Sequence, residues 1–369
     1  MNTKLISLVL TSVALSVVAK AAPFLAIGDG AELFATGSVG IRADDNIFLS
    51  PNATSDVIFD ITPGAQLTFG KDAQLKGALT LVDDFSNYSS NSKLNTDLFS
   101  GDFAADYSDG KLKLDFSTGF HELNQNTADI HGLTRRDVSS ATAKGETEVS
   151  QITSVSAGLL YTHTHYKRTG YGDSDDYTVP LNFYYKWTPK VDLSAGYQYR
   201  YYQIPRALGL DSTDNYFNVG ARGEFTPKLN GQFTVGLTQR QFSHAPDETM
   251  LGLDAHLTYA YSEKTSVQFG ASSAPDTAPQ GQQEKNTSLN VAVTTDISDQ
   301  WKVNASVSWR AIDYLTRTDH FVEGSVGATY IINTYVNLVG AYTYRNNMSV
   351  LSGSEFTENV FSIAANLRY

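Results

Sequence analysis

The chain has 369 residues, a formal charge of -12 and no cysteine. The acidity argues against nucleic acid as a partner, and the lack of cysteine excludes disulfide stapling, so a large closed structure must carry the stability. Mean hydropathy is -0.25, which would suit a soluble protein but is uninformative for a barrel, where lumen-facing and lipid-facing residues average out.

In chain order, residues 1–21 read as a cleaved secretory signal. Lys4 supplies the basic start, Leu5 to Val18 the apolar run, and Ala19-Lys20-Ala21 a small-residue cleavage site. The run is about 14 residues, too short for a comfortable helical span. Its removal takes Lys4 and Lys20 with it and leaves the chain two charges more negative. Residues 22–31 form a short N-terminal periplasmic segment, and 32–369 the folded body.

That body reads as strand after strand, with no convincing helical period. The first strand runs from Glu32 to Arg42. Tight turns follow at Gly70 to Gln74, Ser108 to Lys111, near Glu148 to Gln151, and then at Thr188-Pro-Lys-Val191, Thr226-Pro-Lys-Leu229, Ser262-Glu-Lys-Thr265, Ser298-Asp-Gln-Trp301 and Ile332-Asn-Thr-Tyr335. Longer polar loops separate them: Asp44 to Ser55, Ser89 to Thr96, Gln125 to Asp137, Gly170 to Asp175, Arg206 to Thr213, Ser243 to Glu248, Pro275 to Lys285, Leu315 to Asp319 and Val350 to Glu358. Each later period holds two long strands, one tight turn and one longer loop. Short turns on one rim and long loops on the other are the layout of an outer-membrane barrel. The count is 18 strands, or 16 if the Ser-, Thr- and Ala-rich stretch Val138 to Ser150 is loop.

Within strands the side chains alternate between an oily and a wet phase. From Trp301 to Arg310, Trp301, Val303, Ala305, Val307 and Trp309 oppose Lys302, Asn304, Ser306, Ser308 and Arg310. The two tryptophans are separated by roughly 20 Å along a tilted strand, about the spacing of two aromatic girdles. The last strand, Asn359 to Tyr369, sets Phe361, Ile363, Leu367 and Tyr369 on one face and ends the chain on an aromatic. A soluble sandwich also alternates, but its strands average about 5 to 6 residues and a sheet this large would leave edges to hide. The expected fold is therefore all-β: a single transmembrane antiparallel up-and-down barrel with short periplasmic turns and longer extracellular loops. Its partner would be outer-membrane lipid.

The run Asp214 to Leu237, with its strand–Thr-Pro-Lys–strand form, its echo Thr188 to Arg200, and the opening Gly37 to Asn46 with an Asp-Asn pair resemble the putative β-barrel porin 2 family of bacterial outer-membrane proteins. The resemblance implies an outer-membrane channel of largely undefined substrate, with some relatives linked to exopolysaccharide export, and no catalytic residue carries over. The closing strand resembles the C-terminal signal read by the barrel-assembly machinery of such proteins.

Candidate chemistry is sparse. Asp83-Asp84 and Asp319-His320 lie near loop-side strand ends, where an acid pair or an Asp/His pair would be needed to activate water. His163 and His165 form an H-x-H that lacks an evident third ligand, and Asp173 to Asp176 could gather round a divalent cation at the rim. No cofactor or resident metal is expected. The wet phase is more coherent: Lys186, Arg200, Arg222, Arg240, Arg310 and Arg345 share it with Asp192, Glu224, Asp254, Asp296 and Glu323. They read as pore-lining charges, either a paired network stiffening a hydrated interior or a transverse field that orients solutes. A loop such as Gln125 to Asp137, with Arg135 and Arg136, could fold inward as a constriction. The expected activity is passive diffusion of small hydrophilic solutes. Export of an acidic polysaccharide, and a non-conducting barrel with an enzymatic or adhesive rim, are the alternatives.

Overall fold

The computed structural model describes residues 22–28, 30–125, 133–204, 211–242, 246–278, 281–314 and 316–369. The expected signal, 1–21, lies outside the described residues. A three-residue strand, β1 (Leu25–Ile27), leads into eighteen long ones: β2 (Ala31–Asp44), β3 (Asp56–Phe69), β4 (Leu75–Tyr88), β5 (Thr96–Ser108), β6 (Leu112–Gln125), β7 (Thr134–Glu148), β8 (Thr153–Tyr166), β9 (Ser174–Thr188), β10 (Val191–Gln203), β11 (Ser212–Thr226), β12 (Leu229–Phe242), β13 (Glu248–Ala260), β14 (Thr265–Thr277), β15 (Gln283–Asp296), β16 (Trp301–Tyr314), β17 (Thr318–Ile331), β18 (Val336–Met348) and β19 (Phe356–Arg368). Each pairs antiparallel with the next, and β19 returns to pair with β2 from Val360↔Asp44 to Arg368↔Thr36. The sheet is a closed barrel of 18 strands, and the doubtful stretch is strand β7. Closure gives every long strand a neighbour on each side, the requirement a hydrocarbon environment sets for backbone N–H and C=O groups.

Five of the tight turns share one chemical device. Thr188 Oγ1 accepts the N–H groups of Lys190 and Val191 at 3.2 and 3.0 Å, and Thr226 Oγ1 those of Lys228 and Leu229 at 3.3 and 3.0 Å. Asp109, Ser298 and Asn333 do the same with carboxylate, hydroxyl and amide oxygens. A short oxygen-bearing side chain at the first turn position captures the two N–H groups that the reversing chain leaves free. The Ser, Thr, Asp or Asn opening these turns is the local reason each hairpin reverses there.

The apolar phase faces outward and stays exposed. Phe217 (57%), Val219 (60%), Leu237 (56%), Val307 (59%) and Ile363 (64%) lie bare on the outer wall. A belt of such residues around a closed barrel is the reverse of a soluble protein's surface and matches a lipid-facing band. Aromatic contacts mark its margins. Trp301 meets Tyr330 at 4.9 Å between centroids, Tyr335 meets Tyr369 at 5.4 Å, and Trp309 stacks on His320 at 5.8 Å near the loop side.

Several loops are shorter than the sequence suggests. Arg135, Arg136 and Asp137 belong to β7, Pro275 to Thr277 to β14, and Gln283 to Lys285 to β15. Of the expected inward loop Gln125 to Asp137, residues 126–132 lie outside the described residues, and its two arginines are strand residues.

Candidate functional site: the barrel interior and its mouth

The interior is built from the wet phase of every strand. Its loop-side end holds a tight ionic cluster. Arg240 on β12 grips Asp214 on β11 with two bonds, Nε to Oδ1 at 2.7 Å and Nη2 to Oδ2 at 3.0 Å. Its Nη1 donates to the Asp276 carbonyl at 2.7 Å and to Gln283 Oε1 at 2.9 Å. Arg200 on β10 donates to Asp176 on β9 at 2.8 Å and to the Pro275 carbonyl at 3.0 Å, and lies 3.4 Å from an Asp276 oxygen. Arg240 is 1% exposed and Arg200 7%.

Arg200 and Pro275 sit four strands apart, on β10 and β14. Four spacings of flat wall would amount to about 19 Å, beyond the reach of one side chain, so the end of β14 must lean inward. The pairing pattern shows where it departs. β13 and β14 are paired only from Leu253↔Ser273 to Ala260↔Ser266, while β14 continues beside β15 to Thr277↔Gln283. Above Ser273 the β14–β15 end leaves the wall and crosses toward Arg240 and Arg200.

A second segment meets it. The loop between β2 and β3 turns inward at Asn46, whose side-chain amide donates to the carbonyls of Ser50 and Thr357 at 2.8 and 2.9 Å. Leu49, carried by this loop, packs with Ala278, Ile312, Tyr314 and Phe356 in a buried apolar cluster flanked by Phe321. Ile312, Tyr314 and Phe356 belong to the wet phase of β16 and β19, so the cluster lies inside the barrel. Leu49 holds φ 47°, a left-handed conformation that costs a branched side chain about 1–3 kcal/mol. Burial of its side chain, about 1.5–3 kcal/mol, offsets that cost. Together these two segments narrow the loop-side mouth.

Deeper, a second strut crosses the wall. Arg222 on β11 makes a two-bond contact with Glu146 on β7, at 2.7 and 2.6 Å, and also reaches Asp192 at 3.1 Å. The Tyr184 ring lies 3.4 Å beneath the guanidinium. The two ends of this strut are again four strands apart, so the wall curls sharply over β7–β11. Arg345 joins Glu323 at 2.6 Å and Glu358 at 2.8 Å, and Asp254 lies 3.5 Å from His256. Arg310 lies over the Phe321 ring at 5.5 Å, and Asp296 is 3.6 Å from Lys302. Glu224 and Lys186 sit at the turn-side rim, where Glu224 meets Lys190 at 2.5 Å and Lys186 donates to the Gln151 carbonyl at 3.2 Å. The arginines with resolved carboxylate partners are thus counter-charged within the wall.

Of these partners, Asp214, Glu146 and Glu358 were not singled out from the sequence as charge partners, and Asp176 only as part of a possible cation cluster. Wet-phase position near a strand end was their only signal. The apolar cluster had a better one: Ile312, Tyr314 and Phe356 are large apolar groups on a phase that should meet water.

The paired motifs come apart. Asp319 points inward, 1% exposed, and accepts from Arg317 and Ser349, whereas His320 points outward onto Trp309. Asp84 faces inward and accepts from Thr62 at 3.3 Å, while Asp83 is on the outer phase. Successive strand residues face opposite sides, so neither pair can converge on one water. The run 173–176 divides likewise. Asp173 holds His165 at 3.0 Å, Asp175 holds His163 at 2.9 Å, and Asp176 turns inward to Arg200. Burial lifts the Asp173 carboxyl, but its bonds from His165 and the Tyr166 N–H outweigh this and hold it below the usual carboxylate range.

The closing strand keeps Phe361 (60%), Ile363 (64%), Leu367 (46%) and Tyr369 (47%) on the outer face. The backbone of Tyr369 exchanges both hydrogen bonds with Ala35, at 2.6 and 2.9 Å.

Residues 202–369 match the family model described as Putative beta-barrel porin 2. The match includes the run 214–237 and leaves 188–200 and 37–46 outside it. Among solved structures, OpdQ of Pseudomonas aeruginosa is 11% identical, with 93% of this chain and 100% of that chain covered and a TM-score of 0.50. OpdK of the same organism, solved with vanillate, is 10% identical over 91% and 99%, at 0.48. OccAB3 of Acinetobacter baumannii is 8% identical over 93% and 100%, at 0.47. At such identities the likeness to OpdQ concerns the fold alone. No curated protein sequence matches the chain. Over residues 202–369 the chain resembles that β-barrel porin family, and its fold is a closed barrel of 18 strands.

Proposed function

We propose that the protein is an outer-membrane channel for passive diffusion of small hydrophilic solutes, narrowed at its extracellular mouth by the loop 45–55 and the end of β14–β15. Barrels of about 16 to 18 strands leave an aqueous passage unless something fills it. The observation that carries the reading is the water-exposed inner wall beyond the constriction. On β5 and β6 the inward residues Asp102, Ala104, Asp106, Asp115 and Ser117 are all exposed, so the lumen there is open to water. Outer-membrane location follows from the oily outer belt, and entry into that membrane would use the aromatic face of β19 as the assembly signal.

An export duct that carries an acidic polysaccharide on an arginine ladder is less well supported. Arg200, Arg222, Arg240 and Arg345 already hold carboxylates, and a sugar acid would have to displace them.

The signal-free protein reconstituted in a planar bilayer is expected to give steady ohmic steps that persist with neutral and charged small solutes alike. An anionic oligosaccharide should not block them selectively. Complete silence would overturn the channel, and selective block that is lost on Arg222→Gln would favour the export duct.

A further inference from the structure

The interior charges fall into two sets. The arginines on β10–β12 and β18 face carboxylates at bonding distance. Beside them, on β4–β7, a row of charges has no such partners. Lys76 on β4 stands directly across from Asp106 on β5, Asp106 from Asp115 on β6, and Asp115 from Lys144 on β7. All four lie on the inward phase. Lys76, Asp106 and Asp115 are exposed, and Lys144 is half-buried with its stem over Gly158. Among the described residues, none of the four makes a side-chain hydrogen bond or ion pair. Lys76 is the second residue of β4, which puts the row near the turn-side mouth.

Two carboxylates directly opposite each other on adjacent strands repel. A stabilising wall would have paired them, as the wall across β9–β12 does. A charge bonded at contact distance presents only a short-ranged dipole to the passage, whereas one that faces a counter-charge without bonding, its side chain free in the lumen, keeps more of its field along the wall.

We infer that this row, not the arginines, sorts the ions and small charged solutes that pass. Asp106 and Asp115 draw cations, and Lys76 and Lys144 draw anions. This rests on the channel reading above.

The test is the reversal potential of the reconstituted full-length mature channel in a potassium chloride gradient kept near 0.1 M or below, where screening acts beyond about 10 Å. Asp106→Asn with Asp115→Asn should move the potential toward that of chloride, and Lys76→Gln with Lys144→Gln toward that of potassium. Arg42→Gln with Asp60→Asn removes a matched interior pair, bonded at 2.6 and 3.0 Å, and should leave the potential unchanged. Heat-modifiable electrophoretic mobility reports that each variant is folded. Row variants that conduct with the wild-type potential would overturn the inference, as would an equal shift from the Arg42 and Asp60 pair. A silent wild type would instead overturn the channel itself.

Discussion

Replacing Arg240 with alanine is expected to destabilise the barrel by about 3–5 kcal/mol, because it leaves a buried carboxylate without its counter-charge. Asp214 would lose both bonds from Arg240 and keep only the longer approach of Arg200 at 3.6 Å. The same change frees the Asp276 carbonyl and Gln283, two of the anchors that hold the β14–β15 end across the mouth. Denaturant unfolding in detergent measures the first effect, and single-channel recording the second, as larger and noisier openings. A loss below about 1 kcal/mol would be the size of an exposed surface pair and would contradict the buried cluster.

Replacing residues 46–54 by a short glycine-rich link is expected to raise single-channel conductance, since it removes Ile47 and Leu49 from the interior, where they are 4% and 7% exposed. Each forfeits about 1.5–3 kcal/mol of burial, but the barrel's strand pairing does not depend on them. Without Leu49 the cluster of Ala278, Ile312, Tyr314 and Phe356 opens to water, and the inward end of β14–β15 loses its opposite contact. Conductance equal to the wild type would show that this loop does not narrow the path.

The two-residue period made the barrel legible. Trp301 to Arg310 already separated an oily face from a wet one, and the Thr-Pro-Lys turns marked where strands reverse through hydroxyl groups that accept turn N–H bonds. The 18 strands followed from those turns, including β7, whose small and polar outer residues made it look like loop. Strand ends were harder. At Pro275 to Thr277 and Gln283 to Lys285, proline and polar residues suggested a loop, yet β14 and β15 stay paired there because both have left the wall together. The inward turn at the β2–β3 loop was not legible either. The inward turn of the loop 45–55 is defined by Leu49 and Asn46 meeting residues hundreds of positions away, such as Ile312 and Thr357. The wet-phase arginines were visible as residues, but their partners depend on how tightly the wall curls. Arg222 reaches Glu146 only because β7–β11 bend, and no local pattern encodes that curvature.

The absence of native cysteine allows a background-free measurement of which face meets water. Single cysteines at positions 303 to 308 of β16, introduced one at a time, would be treated with a water-soluble, membrane-impermeant thiol reagent in proteoliposomes. The account predicts alternation: Asn304→Cys, Ser306→Cys and Ser308→Cys react from the lumen, while Val303→Cys, Ala305→Cys and Val307→Cys are shielded by lipid. Equal labelling at all six positions, or labelling of the odd set alone, would contradict it.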